Sequence, residues 1–255
     1  MSLRKQYAEE VEREFSRQTR SEPPILTEKM LNSLPKPVQR HLRVCGYPGK
    51  PLFNHAEMIW GNVDFLRAPK TPPLKLKCVQ QNFAAEPCRI VLMTTRLAGI
   101  IPFEGRDKYQ DDHGNMLIKI GKLLTLQEAK GEAMDRSGLV TILAEAFVLP
   151  AYLFQPYISW GEFDEFSAAA TITRNGIEVG GVFCFNERGE YVRFESNDRY
   201  LSTPKGDENH PWAATLGNYF EKNGYRIPGY MNAEWLLPEG KHEYFLGEIL
   251  EFRYS

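Results

Sequence analysis

The carboxylates that could support chemistry stand near arginines. Arg106 is next to Asp107, Arg136 follows Glu132 by one helical turn, and Glu145 and Arg199 lie further along. A carboxylate that moves a proton, beside a guanidinium that holds an anion, is the minimum equipment for acid–base catalysis. Each group also has a plainer reading. Glu132 and Arg136 form either a sheet-facing ion pair, at a desolvation cost, or, if the helix starts later, two solvated residues ahead of it. Glu145 borders an apolar helical stripe, where a solvated residue is commoner than a general base and only a neighbouring cavity would change its role. Arg199, between Asp198 and Tyr200, either holds an anionic head group or pairs across a sheet.

A second set of residues is out of place rather than reactive. Leu74, Leu76 and Cys78 alternate with Lys75 and Lys77, and the same face continues into Gln80 and Asn82. These two amides either leave the core at a strand end or line a wet cavity. Trp60, Trp160, Trp212 and Trp235 each need apolar contact and a partner for the indole N–H. That makes them pocket walls as readily as core residues.

Metal chemistry is disfavoured. Asp107, Asp111, Asp112 and His113 carry suitable donors, but their spacing fits neither an EF-hand loop nor an H-E-x-x-H helix, and Asp111 to Asn115 reads as a hairpin turn. The sequence lacks a nucleophile elbow, a phosphate-binding loop and a dinucleotide fingerprint. Gly180-Gly181 inside a strand marks a bend. No cofactor is expected.

The elements that must position these groups follow from periodicity. Residues 4 to 20 are highly charged, with Tyr7, Val11 and Phe15 every fourth position, which predicts a helix docking by one narrow stripe. Thr27 is placed to cap a short helix, and Pro37 to begin another that carries Val38, Leu42 and Cys45 to Gly46. From Phe53 the period becomes two, with turns at Asp111-Asp112, Asn175-Gly176, Asn186 to Gly189 and Asn223-Gly224. One helix interrupts, from Glu132 to about Pro150, with Leu139, Ile142, Leu143, Ala146 and Phe147 on a wide apolar stripe. Without crossover helices the strands pair antiparallel.

Composition narrows partners and setting. A net charge of −2 gives no global field toward nucleic acid or an anionic membrane. The four cysteines are dispersed without zinc spacing and read as buried thiols in a reducing compartment. No apolar run reaches the ~18 to 20 residues of a membrane helix, and the expected location is cytoplasmic. Met1-Ser2-Leu3 reads equally as an added start. A native amino-terminal anchor lying upstream would then make the protein membrane-attached.

The string Leu34-Pro35-Lys36-Pro37-Val38-Gln39-Arg40-His41-Leu42-Arg43 resembles the Leu-Pro-x-Pro-Val-x-Arg-Tyr-Leu opening of a bacterial domain-of-unknown-function family. In order, Gly105-Arg106-Asp107-x-Tyr109, Leu143-Ala144-Glu145-Ala146, Pro150-Ala151-x-Leu153, Arg226-Ile227-Pro228 and Trp235-Leu236-Leu237-Pro238-x-Gly240 are similar to that family's pattern. His41 departs from its usual Tyr. The resemblance spans nearly the whole chain past residue 30. It implies a fold similar to the curved half-barrels of lipoprotein carriers, and an amino-terminal membrane anchor in some members.

The expected fold is α+β and mainly β. A curved antiparallel half-barrel or open barrel of ten or eleven strands forms residues 49–255, with a helix across it, and residues 1–48 are a helical region on the same domain. The leading functional expectation is non-enzymatic binding of an apolar small molecule, a lipid or acyl chain, on the concave face. Its candidate contacts are Trp60, Gln80, Asn82, Arg106, Asp107, Glu132, Arg136, Glu145, Trp160, Arg199 and Trp235. The rivals are a hydrolase- or isomerase-like enzyme using the same acids and arginines, and an interaction module docking through its amino-terminal helix.

Overall fold

Strict side-chain alternation from His55 onward builds one sheet whose strands are joined by tight turns. The computed structural model describes residues 2–18, 22–66, 71–121, 124–203 and 205–255. Met1 and the end of the first helical run, at Arg20, lie outside the described residues.

Before the sheet come α1 (Leu3–Arg17), α2 (Glu28–Leu31) and α3 (Lys36–Val44). The Thr27 side chain accepts from the Met30 N–H, Pro37 sits in the first turn of α3, and Gly46 leaves that helix with φ 73°. Then β1 (His55–Phe65), β2 (Leu74–Phe83), β3 (Cys88–Leu97), β4 (Ile101–Gln110), β5 (His113–Ile120) and β6 (Leu124–Lys130) form an antiparallel meander. After α4 (Glu132–Ala144) and a short turn of 3-10 helix (Pro150–Phe154), β7 (Ile158–Phe163), β8 (Ser167–Arg174), β9 (Ile177–Phe185) and β10 (Tyr191–Ser196) form a second meander. It continues past a side hairpin, β11 (Tyr200–Thr203) with β12 (Gly206–Asn209), into β13 (Trp212–Gly217). A second side hairpin, β14 (Phe220–Lys222) with β15 (Tyr225–Ile227), precedes β16 (Tyr230–Leu237) and β17 (Gly240–Tyr254).

The main sheet holds 13 strands among the described residues, in the order β6-β5-β4-β3-β2-β1-β17-β16-β13-β10-β9-β8-β7. Strands β1 and β17 pair at the centre, so the two meanders run outward to free edges at β6 and β7. Because α4 joins one edge to the other, its position fixes the curvature. A flat sheet of this size would span roughly 60 Å, whereas a 13-residue helix is only about 20 Å long. Yet α4 packs on β4, β5 and β6 from one half and on β8 and β9 from the other. The sheet therefore wraps around the helix without closing.

The turns match their sequences. Both central residues of Asp111-Asp112, Asn175-Gly176 and Asn223-Gly224 have positive φ, as two-residue hairpins matched to strand twist require. The expected ten or eleven strands are too few for two reasons. Ile118 to Leu124 reads as one run, whereas Gly121 (φ 61°) turns the chain and starts β6. Strands β11, β12, β14 and β15 have only three or four residues, too short for periodicity to register. Helix α4 stops at Ala144, short of the expected Pro150.

Both faces of the sheet are covered near β3 and β4, by different helices. On β4, Glu104 and Arg106 contact Leu3 and Glu10 of α1, Lys108 pairs with Glu10, and Gln110 with Glu14. The odd-numbered Gly105, Asp107 and Tyr109 face inward. The apolar stripe of α1 is spent on the outer face, where Tyr7 and Val11 pack against Phe83, Cys88 and Ile90 and Phe15 meets His55 and Phe83 edge-on. Tyr7 and Val11 are partly buried there, while Phe15 stays 45% exposed.

Inside the curve, two glycines let α4 lie against the sheet. A Cβ on Gly138 would come 2.7 Å from the Tyr109 ring, and one on Gly114 would meet the Met134 carbonyl. The first turn is pinned there by Asp135, which accepts from the Gly114 N–H at 2.7 Å. Gly138→Ala and Gly114→Ala are each expected to destabilise the protein by about 1–3 kcal/mol through overpacking, read as a lower urea midpoint. Midpoints equal to wild type would mean that α4 does not sit this close.

Candidate functional site

Between the concave face and α4 lies a cavity of about 320 Å³. It has apolar walls with a few polar groups, the usual make-up of a small-molecule site. Strands β3 and β5 contribute Val91, Met93, Met116 and Ile118, β1 and β17 contribute Trp60 and Phe245, and β13 and β16 contribute Trp212, Ala214, Met231 and Trp235. Helix α4 adds Met134, Thr141 and Ala144. Four of the chain's seven methionines therefore line one cavity. Methionine is unbranched and polarisable, and walls made of it adapt to flexible apolar guests.

Alternation places the polar groups as strictly as the apolar ones. On β2, Leu76, Cys78, Gln80 and Asn82 share the inward face, and both amides are fully buried. The register sets Gln80 opposite Val91, Asn82 opposite Arg89, and Val91 opposite Asp107. The result is a polar knot at one part of the wall. Glu145, at the carboxyl end of α4, accepts at Oε2 from Arg89 Nε (2.8 Å), Gln80 Nε2 (2.7 Å) and Asn82 Nδ2 (3.3 Å). Arg89 also bonds Asp107 at 2.8 Å, and Gln80 bonds Asn82 at 2.9 Å. Burial alone would lower the pKa of Arg89, but Glu145 and Asp107 outweigh it and raise that pKa above its ordinary value.

Arg199 is placed differently. It leads into β11, its guanidinium lies 4.5 Å from the Trp212 ring centre and 5.8 Å from that of Trp235, and its Nη1 donates to Thr141 Oγ1 and to the Ser137 carbonyl (3.2 Å). The Ser137 hydroxyl accepts from the Tyr200 N–H at 3.0 Å and ties the same segment to α4. Three lining residues carry buried polar atoms without a hydrogen-bond partner: Arg199 Nε, Trp60 Nε1 and Gln80 Oε1. Each such atom costs about 1–3 kcal/mol until something bonds it.

Of the residues singled out in the sequence, Trp60, Gln80, Asp107, Glu145, Arg199 and Trp235 meet around this cavity, and Asn82 joins through Glu145. The other four lie elsewhere. Arg106 is buried on the outer face, bonded to Glu10 and Asn115. Glu132 and Arg136 pair at 3.1 Å within the first turns of α4, Glu132 exposed and Arg136 partly buried with its Nη1 donating to the Glu178 carbonyl of β9. Trp160 packs against Phe183 and donates to the Leu153 carbonyl. Sequence reasoning missed Arg89 and the methionines. Arg89, Val91 and Met93 share one parity on β3, so a charge continuing an apolar face was available as a signal, just as for Gln80. The acidic residues weighed as metal ligands diverge: Asp107 goes to Arg89, Asp111 to Arg17, Asp112 to Arg174, and His113 lies near Asp135.

No curated protein matches the chain in sequence. Among solved structures, it is similar to a putative outer membrane lipoprotein-sorting protein domain from Vibrio parahaemolyticus, with 11% identity, 79% of this chain and 86% of that one covered, and a TM-score of 0.43. It is also similar to a LolA superfamily protein from Nitrosomonas europaea, with 9% identity, 91% and 94% coverage, and a TM-score of 0.44. A DUF1329 family protein from Desulfovibrio piger aligns over the same shares with 12% identity and a TM-score of 0.39. Residues 24–247 match the model described as "Family of unknown function (DUF6544)", and the chain belongs to that family.

Proposed function

We propose that the protein binds an apolar small molecule, a lipid or an acyl chain, between the concave face of its sheet and α4. The observation that carries this reading is the methionine- and aromatic-walled cavity of about 320 Å³, a volume at the lower end of the ~300–1,000 Å³ usual for small-molecule sites. Where α4 lies close, at Gly114 and Gly138, the sheet and helix touch; across the cavity they do not, although the residues there are large and apolar.

Acid–base chemistry at the same site has weaker support. Glu145 Oε2 already accepts from three donors, and Asp107 is bound to Arg89, so both carboxylates serve the wall. On setting, no helix among the described residues is long and apolar enough to cross a membrane. The four free thiols, three of them buried, support a reducing compartment.

Ala214 and Ala233 are cross-strand partners that both line the cavity, and a large side chain at either would fill it. Ala233→Trp is expected to weaken binding of a tetradecyl probe at least about tenfold, since it removes the space for two or more methylenes at ~0.8 kcal/mol each. Displacement of a fluorescent fatty-acid analogue reads the effect, with circular dichroism to confirm folding. A folded variant that binds as tightly as wild type, or a wild-type protein with no affinity for any alkyl probe, would refute the reading.

A further inference from the structure

The proposed apolar site leaves open which kind of lipid it takes, and the charges in its wall bear on that. Two guanidinium groups line the cavity, Arg89 and Arg199. Arg89 is neutralised twice over, by Glu145 and Asp107, each at 2.8 Å. Arg199 has no carboxylate within 4.0 Å among the described residues. Its Nη1 is committed to α4, its Nε has no partner, and its plane is held over two indoles. A guanidinium fixed by stacking and by a helix has little conformational freedom left to lose, so it binds a planar or tetrahedral oxyanion at low entropic cost.

The remainder of the wall orients a guest. The Arg89, Glu145 and Asp107 group carries one surplus negative charge and repels a second anion, while Arg199 attracts one. The methionines between them offer apolar contact but no counter-charge. A cavity of about 320 Å³ accommodates one chain rather than two.

Building on the apolar-binding reading, we propose that the ligand is a single-chain amphiphile with an anionic head group. Its carboxylate or phosphate is held by Arg199, beside α4, and its chain lies along the methionine-lined wall.

The test compares three probes of equal chain length, tetradecanoic acid, tetradecyl phosphate and tetradecanol, on the delipidated full chain at 0.1 M salt. One charge-assisted hydrogen bond distinguishes the anions from the alcohol, so the better anion is expected to bind at least about tenfold tighter. In Arg199→Met that ratio is expected to fall to about one. Arg199→Lys, which retains the charge, is expected to preserve part of the preference, and this separates lost charge from disturbed folding. Tighter binding of the acid assigns a fatty carboxylate; tighter binding of the phosphate assigns a phosphomonoester. Equal affinity for alcohol and anions, or a preference unchanged in Arg199→Met, would overturn the head-group assignment and leave the apolar site standing. Failure of all three probes would remove both.

Discussion

Glu145→Leu is expected to destabilise the protein by about 3–5 kcal/mol, a large share of the ~5–15 kcal/mol that holds a typical domain together. The Glu145 side chain is 4% exposed and that of Arg89 12%. Removing the carboxylate leaves a buried guanidinium with only the half-buried Asp107, and strips the Gln80 and Asn82 amides of their shared acceptor. The position is not one that helix physics favours. A carboxylate at the carboxyl end of α4 opposes the helix dipole, so Glu145 is stabilised by the sheet and not by its own helix. The double variant Arg89→Met with Glu145→Leu should recover part of the loss, because the two most buried charges leave together and only Asp107, 30% exposed, is left without its partner. Urea unfolding of the two single variants and the double variant closes the cycle. A Glu145→Leu midpoint close to wild type would show that the knot contributes little.

What the sequence disclosed about this site has a physical boundary. Alternation assigns each residue of a strand to one of two faces, and it set Gln80 and Asn82 on the face of Leu76 and Cys78 without saying whether that face is still covered at the end of the strand, where both amides are in fact fully buried. On β4 it also fell short. Arg106 and Asp107 are neighbours of opposite parity, and both sides of that strand are buried, one under α1 and one under α4. Parity separates the two residues without saying which helix each one meets. Arg89 was missed for a related reason, since a charge at a strand's second position reads as a solvated flank until its partner on α4 is known. That partner is 56 residues away, beyond any local pattern. The same holds for the methionines, which are scattered over β3, β5, α4 and β16 and converge only when the sheet curves. The curvature itself was legible in outline, from aromatic-rich strand runs of about ten residues, longer than the usual ~5 to 6 and typical of strongly curved sheets. The strand count was not, because the short side hairpins carry too few residues for a period.

The resemblance that set His41 where the family carries Tyr points to a pH effect of comparable size. His41 sits on α3 among Phe147, Phe185, Tyr191 and Tyr219 and is 3% exposed. Its Nδ1 lies 3.1 Å from the Tyr191 N–H, which donates to it, and 3.1 Å from the Gly189 carbonyl, while Cys45 Sγ approaches Nε2 at 3.6 Å. A bare Nδ1 suits the Tyr191 donor and assigns the proton of the neutral ring to Nε2. Burial is the main cause that lowers its pKa, to about 4 from 6.5. The Gly189 carbonyl and the Glu190 carboxylate pull the other way without prevailing. Below pH 6.5 the unfolded chain takes up a proton that the folded protein refuses until about pH 4. The contribution is therefore complete above pH 6.5 and is lost as pH falls toward 4, by about 3 kcal/mol in total. His55, also lowered by burial, acts in the same direction, so the His41 share is isolated by comparison with His41→Asn. The Asn carbonyl can still accept from Tyr191 but does not titrate. That variant is expected to start less stable at pH 7, from lost ring packing, and to lose about 3 kcal/mol less than wild type between pH 7 and pH 4 in urea titrations. Parallel declines for the two proteins would show that His41 takes up its proton in the folded state as readily as in the unfolded chain.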